Sequence, residues 1–402
     1  MPEYAEPQAD KERRLAAELT RLVHHHRAAC PPYRRIVDVV APGFAAAATP
    51  ADVPHLPVSL FKTHELRSVP ADAVFKTLMS SGTTGQRPSR IFLDRDSAAA
   101  QTRALAATMQ HWLGRQRRPM LIADTRSVLR DRTQFTARGA GILGLAPFGR
   151  DHLYLLDSSP QERAAWLAKH AGEPVLVFGF TFMVWEHLPE GIDLRGGVLI
   201  HSGGWKALAD RAVGPQEFRR VVTARSGIER IHNFYGMAEQ TGTVYVECEA
   251  GALHAPATGD VVIRDPATWA PAPRGEQGVV EVLSTLPVSY PGHALLTEDL
   301  GRVVAVDDCA CGRLGQAVAL DGRVPQAELR GCSDTAAAPV PPHAAASPHP
   351  AEPASPRSAA AASPHSAAAA SPHSAEPASP RSVAAASPHS AEPASPRSAA
   401  AG

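Results

Sequence analysis

Between Ala98 and Arg230 helical stretches alternate with short apolar runs, and this alternation restricts the fold more than any other feature of the chain. Helices are expected from Ala98 to Trp112, Pro160 to His170 and Gln216 to Ser226. The runs between them are Met120 to Ala123, Val175 to Phe180, Val198 to Ile200 and Ile231 to Phe234. Such a pattern predicts an α/β domain with a substantially parallel sheet. Ligands in sheets of that kind sit at the carboxyl ends of strands. Two motifs fall at such ends: His201-Ser202-Gly203-Gly204-Trp205-Lys206, and Asn233-Phe234-Tyr235-Gly236-Met237-Ala238-Glu239-Gln240.

The flanking regions differ in texture. Asp10 can cap a first helix whose Leu15, Leu19, Leu22 and Val23 share one face, and Pro31-Pro32 ends it. His24, His25 and His26 point in different directions on a helix and cannot converge on one ion, so they read as a solvated helix end. Beyond Glu249, short β-rich pieces (Gly259 to Ile263, Gly278 to Leu283, Gly301 to Val306) separated by Pro and Gly turns suggest a small β subdomain. After Thr335 Ser-Pro recurs every eight residues, with prolines at 348, 356, 364, 372, 380, 388 and 396. That composition offers no apolar core and predicts a disordered tail. The expected division is a main domain over 1–300 (β-rich part about 250–300), a short region over 301–335 and the repeat tail over 336–402.

Length and charge exclude some functions. At 402 residues the chain exceeds a usual single core. Lys plus Arg equal Asp plus Glu at 40 each, which gives no general pull towards nucleic acid or anionic membrane. Five unevenly spaced cysteines do not resemble a secreted disulfide framework. No secretory leader is visible and no apolar run is long enough to span a bilayer, so a cytoplasmic protein is expected.

Met79-Ser80-Ser81-Gly82-Thr83-Thr84-Gly85-Gln86 is a loop, since Ser and Thr compete for backbone hydrogen bonds and Gly is permissive. Its N–H groups and hydroxyls can turn onto one anion, or the stretch can be a plain surface turn. It is not a Walker A loop, because no Gly-Lys-Ser/Thr follows. Just upstream, Phe61-Lys62-Thr63-His64-Glu65-Leu66 contains one of only five lysines, the others being Lys11, Lys76, Lys169 and Lys206.

The glycine loop, Tyr235 to Glu239 and Thr297-Glu298-Asp299-Leu300-Gly301 occur in the order and at separations that resemble the adenylate-forming enzymes, which join a carboxylate to ATP as an acyl-adenylate. Within that superfamily the chain is most similar to LuxE-type acyl-protein synthetases, and next to phenylacetate-CoA ligases. The carriers are Phe61 to Leu66, His201 to Lys206, Asn233 to Gln240 and Arg330-Gly331-Cys332-Ser333-Asp334. The resemblance spans roughly residues 10 to 335. It implies ATP phosphates on Ser80, Ser81, Gly82, Thr83, Thr84 and Gly85, adenine against Gly203, Gly204, Tyr235 and Gly236, Mg²⁺ on Glu239, and ribose hydroxyls on Asp299. A carboxylate is a hard oxygen ligand for magnesium and can accept from two hydroxyls.

Cys248, His254, Cys309 and Cys311 supply four soft or borderline ligands, the number a closed tetrahedral Zn²⁺ site needs, and similar positions occur in the phenylacetate-ligase-like branch. Unlinked thiols are the alternative. Cys332 stands apart. The resemblance implies that it receives the acyl group, with Arg330 favouring the thiolate. The chain also departs from the family pattern: no lysine follows Lys206, although adenylate-forming enzymes usually carry one in a larger C-terminal domain. Lys206, Lys62 or an arginine such as Arg323 is left to supply that charge, and Arg87 or Arg90 the phosphate contact. The activity implied is ATP-dependent activation of a carboxylic acid, a fatty acid by family, with transfer to a protein cysteine and onward to a partner such as an acyl reductase. The alternatives are an acyl- or aryl-CoA ligase, or a non-catalytic nucleotide-binding or scaffold protein.

Overall fold

Along the middle of the chain five short strands alternate with helices and lie side by side in parallel. The computed structural model describes residues 2–80, 88–129, 137–205 and 211–324. In chain order, α1 (Gln8–Ala29), α2 (Pro31–Val40), β1 (Leu56–Pro57) and α3 (Leu60–Thr63) precede an antiparallel pair, β2 (Lys76–Met79) and β3 (Arg90–Leu93). The alternating region holds α4 (Arg95–Leu113), β4 (Arg118–Ile122), α5 (Ala137–Leu145), β5 (Gly149–Tyr154), α6 (Pro160–Lys169), β6 (Leu176–Phe180), α7 (Thr181–His187), β7 (Val198–Ser202), α8 (Pro215–Ser226) and β8 (Arg230–Tyr235). Then come β9 (Tyr245–Glu247), β10 (Leu253–His254), β11 (Gly259–Arg264), β12 (Gly278–Ser284), β13 (Ala294–Val306) and β14 (Gln316–Arg323).

One sheet of twelve strands runs in the order β11-β12-β13-β14-β10-β9-β8-β7-β6-β4-β5, with β1 alongside β13. From β5 to β8 the pairing is parallel, and from β8 onward to β11 it is antiparallel. The expected mixed α/β architecture is therefore present, and the β-rich half joins the parallel half through the β8–β9 pair.

Strand periodicity explains the layers. Met120, Ile122, Leu176, Phe178, Val198 and Ile200 face one side, where Met109 and Trp112 of α4 and Ile142 and Leu145 of α5 cover them. Their neighbours Leu121, Ala123, Val177 and Leu199 face the other, under Trp166 of α6, Val184 of α7 and Phe218 and Val222 of α8. Each fully buried aliphatic side chain there contributes roughly 2 kcal/mol. Gly179 lets α7 sit close on β6, since a Cβ at that position would meet Ala123 Cβ at 2.7 Å and Val184 Cγ2 at 2.8 Å. A third cluster packs Leu15, Leu19 and Leu22 of α1 with Val282, Leu283 and Leu295 of the antiparallel half.

Four details differ from the sequence reading. Helix α1 begins at Gln8, because Pro7 holds φ near −58° and its carbonyl accepts from Asp10 and Lys11 at 3.0 Å; Asp10 sits in the first turn. Strand β5 carries no strand signal in the sequence, because its Gly149-Arg150-Asp151-His152 start lacks an apolar run, as befits an edge strand. The boundary expected at residue 300 falls inside β13, and the β-rich part continues to Arg323. The histidine triplet is not wholly solvated. His26 is fully buried, stacks on His293 at 5.0 Å, accepts from the Ser68 hydroxyl at 2.7 Å and donates Nε2–H to the Pro287 carbonyl at 3.0 Å. Among the described residues no helix is long and apolar enough to cross a membrane.

That imidazole stack carries a pH expectation. Burial holds His26 well below the usual histidine range, and burial with neighbouring His25 pulls His293 down to about 3. Both rings are neutral in the fold but take protons in the unfolded chain below pH ~6.5, so stability present at neutral pH drains away on acidification. Between pH 7 and pH 5 the His293 ring alone should remove about 2 kcal/mol, and His26 acts in the same direction. Urea melts at pH 5, 6 and 7 check this, with His293→Gln expected to flatten the dependence by one proton; an unaltered slope would refute it.

Candidate functional site

Residues brought to the carboxyl ends of β7 and β8 meet the end of the β2–β3 hairpin and the antiparallel strands β13 and β14. The hairpin stem closes where Ser80 N donates to Ser89 O at 3.1 Å and Ser89 N donates to Ser80 Oγ at 2.9 Å. Both serines are buried. Ser89 also lies beside Glu239, which occupies a 3₁₀ turn, Ala238–Gln240, two residues past Gly236. Burial raises the Glu239 carboxyl above its ordinary range, while the nearby Ser89 hydroxyl and the Lys62 ammonium on α3 pull it back. The Ser89 contact is one of proximity, since its Oγ meets no partner in regular hydrogen-bond geometry. A buried carboxylate of this kind is undercompensated, which suits it to a cation.

Tyr235, the last residue of β8, donates its hydroxyl to Asp299 Oδ2 at 2.7 Å across 64 positions of sequence. Arg323 Nε lies 3.5 Å from Asp299 Oδ1, and its Nη2 donates to Glu298 Oε2 at 2.6 Å. Burial raises Asp299, against the lowering effects of the Tyr235 hydrogen bond and Arg323. Tyr235 is pushed well above the usual phenol range by burial and then by the Asp299 charge. An aromatic face, a carboxylate with a lone pair left over and a guanidinium thus share one place. Gly203 and Gly204 follow β7 and are exposed, with Gly203 at φ +81°, a left-handed conformation that favours glycine. A Cβ on Gly204 would meet nothing within 4 Å.

The second constellation is the thiol cluster. Cys248 follows β9, His254 ends β10, and Cys309 and Cys311 lie in the turn between β13 and β14. Their ligand atoms all lie within 4.8 Å of one another. Sγ–Sγ separations are 3.8 Å for Cys248–Cys309 and 3.4 Å for Cys309–Cys311, and Cys311 Sγ is 3.3 Å from His254 Nε2. A tetrahedral zinc with Zn–S near 2.3 Å needs ligand edges of about 3.8 Å, so these four fit the ion with little adjustment. Burial pushes the Cys248 thiol up to about 12 and His254 down to about 4. Beside them the Arg313 guanidinium covers the Trp112 ring at 4.0 Å and donates to Glu249 Oε2 at 2.7 Å.

Of the residues singled out in the sequence, Ser80, Lys62, Tyr235, Gly236, Glu239, Asp299 and Arg323 assemble around the first site, and Cys248, His254, Cys309 and Cys311 around the second. Ser81, Gly82, Thr83, Thr84, Gly85, Arg87, Lys206, Arg330 and Cys332 lie outside the described residues. Arg90 opens β3, half exposed, 3.8 Å from Glu65. Ser89 and Thr181 were not foreseen. Thr181 did carry a signal, since it directly follows the apolar run Val175 to Phe180 and so sits at a strand's carboxyl end.

A family model described as acyl-protein synthetase, LuxE, matches residues 3–339. The chain belongs to the LuxE acyl-protein synthetase family. It is 24% identical over 303 residues to the long-chain-fatty-acid–luciferin-component ligase of Vibrio harveyi, covering 70% of this chain and 76% of that one. Identity to the ligase of the same name from Aliivibrio fischeri is 22% over 265 residues, 63% and 69% of the two chains. Among solved structures, 2-hydroxyisobutyryl-CoA ligase in a postadenylation state with its acyl-AMP superposes with a TM-score of 0.59 at 18% identity, over 79% of this chain and 69% of that one. The LuxE-family chain therefore has the fold of adenylate-forming ligases, and its family is one of acyl-activating ligases.

Proposed function

We propose that this LuxE-family chain activates a fatty acid with ATP and Mg²⁺ and transfers the acyl group to the Cys332 thiolate. The observation that carries the reading is the convergence of Tyr235, Asp299 and Arg323 with the Glu239–Ser89–Ser80 hairpin end, because it gathers acceptors for sugar hydroxyls and a cation-seeking carboxylate at one place. Fatty acid as substrate class is supported by the names of the Vibrio harveyi and Aliivibrio fischeri relatives.

In this reading Ser80 to Gly85 bind the phosphates, and Gly203, Gly204, Tyr235 and Gly236 line the adenine. Asp299 accepts from the ribose hydroxyls while Tyr235 and Arg323 hold its two oxygens. Glu239 holds Mg²⁺, which supplies charge neutralisation on phosphate oxygens. A carboxylate oxygen of the acid attacks the α-phosphorus, the α–β phosphoanhydride bond breaks, and pyrophosphate leaves. Lys62, whose charge already acts on Glu239, and Arg323 provide positive charge at the phosphates. Catalysis is by positioning and electrostatic stabilisation. The Cys332 thiolate then attacks the acyl carbon and AMP leaves, which forms the thioester passed to an acceptor such as an acyl reductase. Zinc on Cys248, His254, Cys309 and Cys311 is structural: all four positions are protein ligands and none is open for chemistry.

ATP–pyrophosphate exchange across fatty and aryl acids tests this reading. The expected result is acid-dependent exchange with a hydroxylamine-labile acyl label on the protein that Cys332→Ser eliminates. A label persisting in Cys332→Ser removes the thiol assignment. Free thioester made only when coenzyme A is added indicates a CoA ligase, and ATP binding without exchange indicates a non-catalytic nucleotide-binding protein.

A further inference from the structure

Thr181, the first residue of α7, lies at the carboxyl end of β6 and is almost completely buried. Its hydroxyl oxygen has three polar neighbours, two at the end of β7 and one on the turn that follows: His201 Nδ1 at 2.9 Å, Ser202 O at 3.2 Å and Gly203 O at 2.6 Å. A hydroxyl has one proton, and the shortest contact, to the Gly203 carbonyl, takes it. His201 Nδ1 must then donate to Thr181 Oγ1, which sets the Nδ1–H tautomer of a ring that burial keeps neutral. That ring is held in turn against Phe218, with centroids 4.6 Å apart. On its far side the turn is tied again, by Ser202 Oγ donating to Phe234 O at 2.8 Å.

A trans peptide is planar, with C=O and N–H on opposite edges. Fixing the Gly203 carbonyl towards Thr181 therefore fixes the Gly204 N–H in the opposite direction, on the exposed edge of the Gly203–Gly204 turn. Gly203 at φ +81° has no side chain to resist a peptide flip, so the orientation depends on the hydroxyl.

We propose that Thr181 is a positioning residue for nucleotide binding, whose hydroxyl locks the Gly203–Gly204 peptide so that the Gly204 N–H is presented to the adenine of ATP. The assignment rests on the reading that Gly203 and Gly204 line the adenine. It acts through the turn and touches no reacting atom.

The test is ATP affinity by isothermal titration calorimetry with Mg²⁺, paired with KM and kcat in pyrophosphate exchange, on the full chain. Thr181→Val keeps the shape and removes the hydroxyl. It should weaken ATP binding and raise the ATP KM about tenfold, about the worth of one hydrogen bond, and leave kcat and the KM for the acid unchanged. Thr181→Ser should restore both to within about twofold of wild type. Thr181→Ala, which puts no methyl in the hydroxyl's place, should match Thr181→Val and serves if that variant does not fold. ATP affinity in Thr181→Val or Thr181→Ala equal to wild type overturns the proposal alone, as does an equal loss of ATP and acid KM, which a general packing defect gives. Wild-type protein that binds no ATP overturns the nucleotide-site reading and this proposal together.

Discussion

Glu239→Gln should make the nucleotide-free protein more stable while cutting ATP–pyrophosphate exchange by more than about 100-fold, the loss of a charge stabilising the phosphates. The opposite signs come from one cause. Glu239 is 5% exposed, and burial raises its carboxyl above the ordinary range. In the unfolded chain the carboxyl ionises freely, so the fold contributes most below the unfolded value and loses that contribution as pH rises through the raised one. At neutral pH the folded chain thus bears the cost of a poorly compensated carboxylate, relieved only in part by Lys62 and Ser89. Glutamine has nearly the same shape and no charge. Its melting temperature should rise by a few degrees, the scale on which about 1 kcal/mol registers in a domain of this size. Exchange should fall because an amide is a poor ligand for Mg²⁺. Differential scanning calorimetry and exchange on the same preparation decide the matter. A melting temperature at or below wild type, or exchange near wild type, would count against the role given to Glu239.

Zinc removal should have the largest effect on stability. Purified protein is expected to hold one zinc per chain, and chelation or Cys309→Ser should lower the melting temperature on the order of 10 °C. The ion would join the β9–β10 turn to the β13–β14 turn, and Cys248 and Cys309 are 61 positions apart, so losing it frees a long loop in the unfolded chain. Three thiolates and one Zn²⁺ leave a net negative charge, which the Arg313 guanidinium beside the cluster offsets. Because all four ligands come from the protein, exchange per folded molecule should survive at low temperature. Elemental analysis and melts with and without chelator measure this. Metal-free protein with a wild-type melting curve would contradict it, and exchange lost without unfolding would contradict the structural role.

How much could be read in advance depended on range. Apolar runs such as Val175 to Phe180 announced strands because the alternation of covered faces is written locally. Strand β5 carried no such run, since an edge strand half open to solvent has no need of one. Tyr235, Glu239 and Asp299 were visible as types and in order. That Tyr235 bonds Asp299 was not, because β8 and β13 are not neighbours in the sheet and the two residues lie 64 positions apart. His26 shows the same limit: a helix pattern says which way a ring points, and its burial was decided by His293 and Pro287 some 260 residues away.

The amino-acid sequence alone determined the α/β class, the placement of two motifs at strand ends, and the chemistry of the Cys/His quartet, because period, spacing and ligand type are properties of neighbouring residues. Tertiary structure decided the burial of His26 against His293, the passage of β13 through residue 300, the closing of the quartet to within 4.8 Å and the grip of Thr181 on Gly203. Each of those depends on contacts between distant segments, whose free energy is settled only when the segments pack and water leaves.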